Sequence, residues 1–259
     1  MTIDFHAQNN RYTYATRVVD SSWVDLISSL IQPEGKTVLD IGCGGGIYSL
    51  AWAEIGVKQV IGVDFSEHMI ETARENLNET SNVSFHVGNA ISTGRVSGTA
   101  DIVFQRALIH HISDLSACVS EAHRLLVPNG EYLIQDRTPE DVKYPSSSNH
   151  IRGFFFERYP RLLEIENNRR RSIENIERHL FQSGFTNLTI HSIWETRRGY
   201  ADFAELASDL TARTGRSILH ELTDQEIQDL IAYIRVQLPK GEKIVEKDRW
   251  TIWYAQKAA

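Results

Sequence analysis

Several groups of residues along this chain have types and spacings that can do chemistry. The first is Asp40-Ile41-Gly42-Cys43-Gly44-Gly45-Gly46, an acid followed by glycines at Gly42-x-Gly44-x-Gly46 spacing. Gly42 and Gly44 allow a tight turn and close approach of backbone to a ligand, and a helix that starts there offers N–H donors. The second is Asp64, about 20 residues on, where a carboxylate accepts hydrogen bonds from ribose hydroxyls. The third is Gly88-Asn89-Ala90 at the close of a strand, where Asn89 is also a common turn former. The fourth runs from Gln105-Arg106 to His110-His111. Imidazole titrates near neutral pH and suits a general base, so either histidine is a candidate; the alternative is a helix-capping or packed histidine. Adjacent histidines do not form the i, i+4 pair of a helical metal site.

Two details select the ligand. The dinucleotide fingerprint G-x-G-x-x-G needs a glycine where this chain has Ile47, which counts against a nicotinamide-dependent oxidoreductase. Asp40, just before the turn, repels a pyrophosphate but suits a ligand with an amino group and a sulfonium.

The glycine block resembles the first motif of the class I S-adenosylmethionine-dependent methyltransferases, and the resemblance extends at motif level over residues 36–137. It implies S-adenosyl-L-methionine as cofactor, with Asp40, Gly42, Cys43, Gly44, Asp64, Asn89, Ala90, Gln105 and Arg106 around it and Phe65 and Met69 packed on the adenine. The family commonly has Gly-Asp-Ala where this chain has Gly88-Asn89-Ala90, and often Leu-His-His-Leu where it has Ile109-His110-His111-Ile112. The segment before the first helix often folds over the cofactor, which brings Tyr14 and Arg17 to the ligand. The implied activity is in-line transfer of the sulfonium methyl to a small-molecule acceptor, with a base needed only if the nucleophile must lose a proton. An RNA or protein acceptor, or a non-catalytic protein that keeps the pocket, are the alternatives.

The elements that must position these residues follow in order. Thr37–Ile41 reads as a buried strand, followed by a helix that Gly56 stops. Strands follow at 59–64, 83–87, 101–104 and 131–135, with helices between them, one capped by Ser66. Alternation of this kind predicts an α/β fold: a doubly wound, mostly parallel, seven-stranded Rossmann-like sheet. Before it, a helix capped by Ser21 or Ser22 shows an apolar face of Trp23, Leu26, Ile27, Leu30 and Ile31. The chain then reads as one methyltransferase domain: a helical cap at 1–33, a cofactor core at 36–138, an insertion at 139–171, a core helix and strand at 172–198, a helical lid at 199–247, and a last strand at 248–259. Within the first insertion, Phe154-Phe155-Phe156 either line a pocket or anchor the segment. Arg169-Arg170-Arg171 either bind phosphate or RNA, or balance Glu164 and Glu166. The helices of the second insertion need a surface to cover, either the pocket mouth or the partner in a homodimer.

Composition bounds the rest. A formal net charge of −7 argues against a nucleic-acid partner. Two cysteines, Cys43 and Cys118, build neither a disulfide framework nor a cysteine-rich metal site, and read as reduced thiols of a cytoplasmic protein. No signal peptide or stretch of membrane-span length is apparent, so no membrane partner is expected.

Overall fold

A computed structural model of the chain describes residues 19–77, 82–239 and 241–259. The expected contacts of Tyr14 and Arg17 lie outside the described residues. Seven strands form one sheet in the order β3-β2-β1-β4-β5-β7-β6. They are β1 (Thr37–Ile41), β2 (Gln59–Asp64), β3 (Val83–Val87), β4 (Ala100–Arg106), β5 (Leu126–Asp136), β6 (Phe185–Tyr200) and β7 (Ile244–Lys257). β1 to β5 pair in parallel, whereas β7 runs antiparallel between β5 and β6. The order reverses beside β1, the point at which open α/β sheets bind ligands at the carboxyl ends of their strands.

Because side chains alternate across a strand, both faces of the sheet carry apolar residues and both are covered. One face packs Leu39, Val63, Val103 and Trp253 against α4 (Leu115–Leu125) and α8 (Ile173–Gln182). The other packs Val38, Val60, Phe104 and Ile252 against α1 (Ser21–Leu30), α2 (Ile47–Glu54) and α3 (Glu67–Glu75). Asp20, not Ser21 or Ser22, caps α1: its carboxylate accepts from Ser22 N at 2.9 Å and also from Thr196 N on β6.

The last two strands are longer than their apolar runs, Leu188 to Ile193 and Arg249 to Tyr254, show: β6 continues seven residues past Ile193 and β7 starts five before Arg249. This outer ribbon carries Arg197 and Glu246, which point into a buried ionic cluster, so its sequence lacks an apolar stripe. Arg216 there is fully buried and pairs with Asp209 and Glu246. The two insertions join in a single third core. Phe154, Phe155 and Phe156 of α6 (Ile151–Arg158) meet Leu206 and Leu210 of α9 (Phe203–Thr211) and Leu230 and Ile234 of α10 (Asp224–Gln237). The phenylalanine run is therefore an anchor. The arginine run balances acids: Arg170 and Arg169 both reach Glu166 on α7 (Pro160–Arg169).

Candidate functional site

A cavity of about 360 Å³ opens at the carboxyl ends of β1, β2, β3 and β4. Its lining takes in Asp40, Gly42 to Gly45, Ile47 and Tyr48 from the glycine turn, then Asp64, Phe65 and Met69, then Gly88 to Ala90, then Arg106 to Leu108, His111 and Ile112. All the candidate residues from Asp40 to Ala90 thus converge, and no residue from 199–247 is among those lining the cavity.

The glycine turn is tied to β2. Gly42 N and Cys43 N both donate to Val63 O, at 2.7 and 3.1 Å. Gly42 sits at φ +79°, and a Cβ there would come within 2.9 Å of Leu108 Cδ1. Gly44 N donates to Asp64 Oδ2 at 2.9 Å, and Ser66 N donates to Oδ1 at 2.9 Å. These bonds fix the Asp64 carboxylate on the cavity wall. At Gly44, a Cβ would meet nothing within 4 Å, so the turn leaves room at that point for a ligand.

Asp40 is 2% exposed and accepts from Ser49 Oγ at 2.5 Å. Burial pushes its carboxyl up from 3.8 to about 7, against the Ser49 bond. Burial, followed by Asp40 and Asp64, holds the Cys43 thiol well above its usual range, so Cys43 is a neutral wall rather than a nucleophile. Phe65 is half exposed at the rim, and Met69 is buried. Asn89 Oδ1 accepts from Ile91 N at 3.0 Å, which makes Asn89 a turn former as well as a cavity residue.

Two expectations need correcting. Gln105 does not face the cavity: it is fully buried on the opposite side of β4, where Oε1 accepts from Tyr132 OH at 2.7 Å and Nε2 meets Cys118 Sγ. The period of two along a strand sends Gln105 and Arg106 to opposite faces. His110 is the second: its Nδ1 lies 2.8 Å from Asp136 Oδ2 and its side chain is not part of the cavity lining, so it is not placed as a base there. His111 does line the cavity, in the short 3₁₀ turn Ile109–His111. Burial and the neighbouring His110 lower its pKa to about 3, so the imidazole is neutral at physiological pH.

Arg106 is on the wall and stays charged, because Glu195 and Tyr48 outweigh its burial. Its guanidinium lies 4.2 Å from the ring centroids of both Tyr48 and Trp250, and Nη2 donates to Glu195 Oε2 at 2.5 Å. Tyr48, Leu108, Ile112 and Glu195 were not anticipated as site residues. Tyr48 follows the glycine turn directly, a position from which the first helical turn faces a ligand. Glu195 gives no such signal, since it comes from a polar strand far along the chain.

Comparison with known proteins matches residues 32–158 to a family model described as a methyltransferase domain. The uncharacterised methyltransferase YcgJ of Bacillus subtilis is 37% identical over 117 residues, covering 44% of this chain and 46% of that protein. The ribosomal protein L11 methyltransferase of Thermotoga petrophila is 35% identical over 119 residues, covering 45% of this chain and 44% of its own. The chain thus spans about half the length of the curated relatives it matches. Among solved structures, phosphoethanolamine N-methyltransferase 2 of Haemonchus contortus, in complex with phosphomonomethylethanolamine and S-adenosylhomocysteine, superposes with a TM-score of 0.63 at 19% identity, over 99% of this chain and 61% of that one.

Proposed function

Because residues 32–158 belong to the class I S-adenosylmethionine-dependent methyltransferases, we propose that this chain transfers a methyl group from S-adenosylmethionine to a small-molecule acceptor. The observation that carries the reading is the Asp64 carboxylate, held on the cavity wall by Gly44 N–H and Ser66 N–H. The donor set fits the cofactor: Asp64 suits ribose hydroxyls, Asp40 an amino group, and Phe65 and Met69 an adenine. The open space at Gly44 fits the close approach of a ligand to backbone.

The bound cofactor supplies an electrophilic methyl on a sulfonium. The chain's own residues then hold and shield. The apolar wall of Leu108 and Ile112 excludes water, while Arg106 is kept in place by Tyr48, Trp250 and Glu195. Neutral His111 can accept a hydrogen bond from an acceptor without adding positive charge beside a sulfonium. Net acidity supports a small-molecule acceptor, and the two unpaired cysteines support a cytoplasmic setting. No helix among the described residues is long and apolar enough to cross a membrane.

Thermal-shift measurement tests the reading. S-adenosylmethionine and S-adenosylhomocysteine should stabilise the protein, by about 2.7 kcal/mol at a hundredfold excess over Kd, and NAD should not. Stabilisation by NAD alone, or by none of the three, refutes it. A metabolite panel with S-adenosylhomocysteine release as readout then identifies the acceptor. Turnover on ribosomal protein L11 but on no metabolite would favour the second reading, a protein acceptor, to which the L11 relative points.

A further inference from the structure

Leu108, His111 and Ile112 reach the cavity wall from a short turn whose buried Ile109 packs into the core. The turn's own backbone bonds are those of one 3₁₀ turn, His111 N to Leu108 O at 2.9 Å and Ile112 N to Ile109 O at 3.2 Å. Further fixing comes from another segment, the end of α7, which belongs to the insertion after β5.

Two arginines do this. Arg170 Nη1 donates to Asp136 Oδ1 at 2.8 Å. Asp136 in turn meets His110 Nδ1 at 2.8 Å and accepts from His110 N at 3.4 Å. Arg171 Nη2 donates to Ile112 O at 2.9 Å. The insertion therefore holds the turn at two points, its middle residue through Asp136 and the residue just after it directly. Asp136 and Glu166 are each 1% exposed, and Arg170 pairs with both. We propose that Arg170, acting through Asp136, is a positioning residue: it clamps the Ile109–His111 turn so that His111 and Ile112 form a fixed wall of the cavity. That this wall meets the acceptor rests on the methyltransferase reading; the clamp itself does not.

The charges around His110 give the clamp a signature. Burial and Arg170 oppose a proton on the ring, while Asp136 from β5 and Glu166 from α7 favour it. Burial comes first, and the balance leaves His110 below its usual range. The ring is then neutral, with Nδ1–H donated to an ionised Asp136. Removing the Arg170 charge takes away the cation that opposes a proton on His110, while Asp136 and Glu166 stay beside the imidazole, so the His110 pKa should rise.

The experiment compares wild type, Arg170→Gln and Arg170→Lys by nitrogen-15 NMR of the histidines and by amide hydrogen exchange. In Arg170→Gln we expect the rise in the His110 pKa. Exchange at residues 109–112 should be at least tenfold faster, with strands β1 to β3 unchanged. Arg170→Lys should recover most of both, since it restores the charge. An unchanged His110 pKa with unchanged exchange overturns the clamp. So does exchange that rises uniformly over the sheet, which would make Arg170 a general stabiliser. If Arg170→Gln does not fold, Arg171→Gln decides: faster exchange confined to 110–112 supports the clamp, and none overturns it. Calorimetry with S-adenosylhomocysteine on the wild type runs alongside. A failure to bind there would sink the methyltransferase reading while leaving the clamp to be judged on its own readouts.

Discussion

Asp40 makes the protein's stability depend on pH in a direction opposite to that of most carboxylates. Its folded-state pKa is raised by burial from 3.8 to about 7, so the folded state holds the proton more tightly than the unfolded chain. The stability this confers is complete below 3.8 and is lost as pH rises through about 7. The full span corresponds to about 4 kcal/mol, and the part between about pH 5.5 and 8 to about 2 kcal/mol. Asp40→Asn removes the titration and keeps the shape. Urea unfolding of both proteins should therefore show the wild type losing about 2 kcal/mol relative to the variant over that interval. Taking the difference cancels the other titrating groups. Parallel pH profiles, differing by less than about 0.5 kcal/mol, would refute the argument and mean that Asp40 is ionised in the folded protein throughout. Asp40→Asn should also weaken S-adenosylmethionine binding above neutral pH, where an ionised Asp40 would face the amino group.

Four further outcomes are expected. Asp64→Ala removes the carboxylate that takes Gly44 N–H and Ser66 N–H, and calorimetry should show S-adenosylhomocysteine affinity down by about 1–3 kcal/mol. Gly42→Ala puts a Cβ at positive φ within 2.9 Å of Leu108, and should lower stability by about 1–2 kcal/mol or more in urea; wild-type stability would mean the turn relaxes freely. Arg216→Met strips a buried cation from Asp209 and Glu246, a change expected to cost about 3–5 kcal/mol by the same measurement, and a loss under about 1 kcal/mol would show that Arg197 suffices to balance both acids. Limited proteolysis within 201–243 should be unaffected by S-adenosylhomocysteine, since those helices pack on the other insertion and line no part of the cavity; clear protection would restore the idea of a closing lid.

What was legible in the sequence divides along physical lines. The strands from Thr37 to Asp136 are apolar on both faces and bounded by glycines and caps, so their runs stand out. Asp40, Gly44, Asp64 and Ala90 could be placed because each sits within three residues of a strand's carboxyl end. Gln105 and His110 were misplaced for a finer reason. At a strand end or in a 3₁₀ turn, neighbouring residues point different ways, and only the phase of the strand decides which one sees the ligand. The long β6–β7 ribbon escaped because its inward residues, Arg197 and Glu246, are charged, and a strand that buries ion pairs has no apolar alternation to read. Equally, nothing in Phe154-Phe155-Phe156 marks them as facing α9 and α10, since that contact bridges two insertions distant in sequence.

The cavity is lined by residues between Asp40 and Ile112, but different parts of the chain hold its two sides in place. Asp40, Gly44, Asp64 and Ala90 come from the segment that the methyltransferase-domain model matches, and they suit a cofactor. The opposite wall depends on residues outside it. Glu195 and Trp250 hold Arg106; Trp250 in turn carries Arg137 on its other side at 4.1 Å, and Asp248 pairs Arg137 at 2.6 Å. Tyr48, Arg106, Trp250 and Arg137 thus form a column of alternating rings and cations, with one acid for each cation. Pairing of this kind lets a guanidinium stand near a cationic ligand without repelling it, and fixes it where a loose surface arginine would not stay. Arg170 and Arg171 add the grip on the turn that carries His111. On the methyltransferase reading, substitutions at Glu195, Trp250 and Arg170 should therefore lower turnover on the acceptor while leaving S-adenosylhomocysteine affinity by calorimetry intact, and an equal loss of both would refute this division of the cavity.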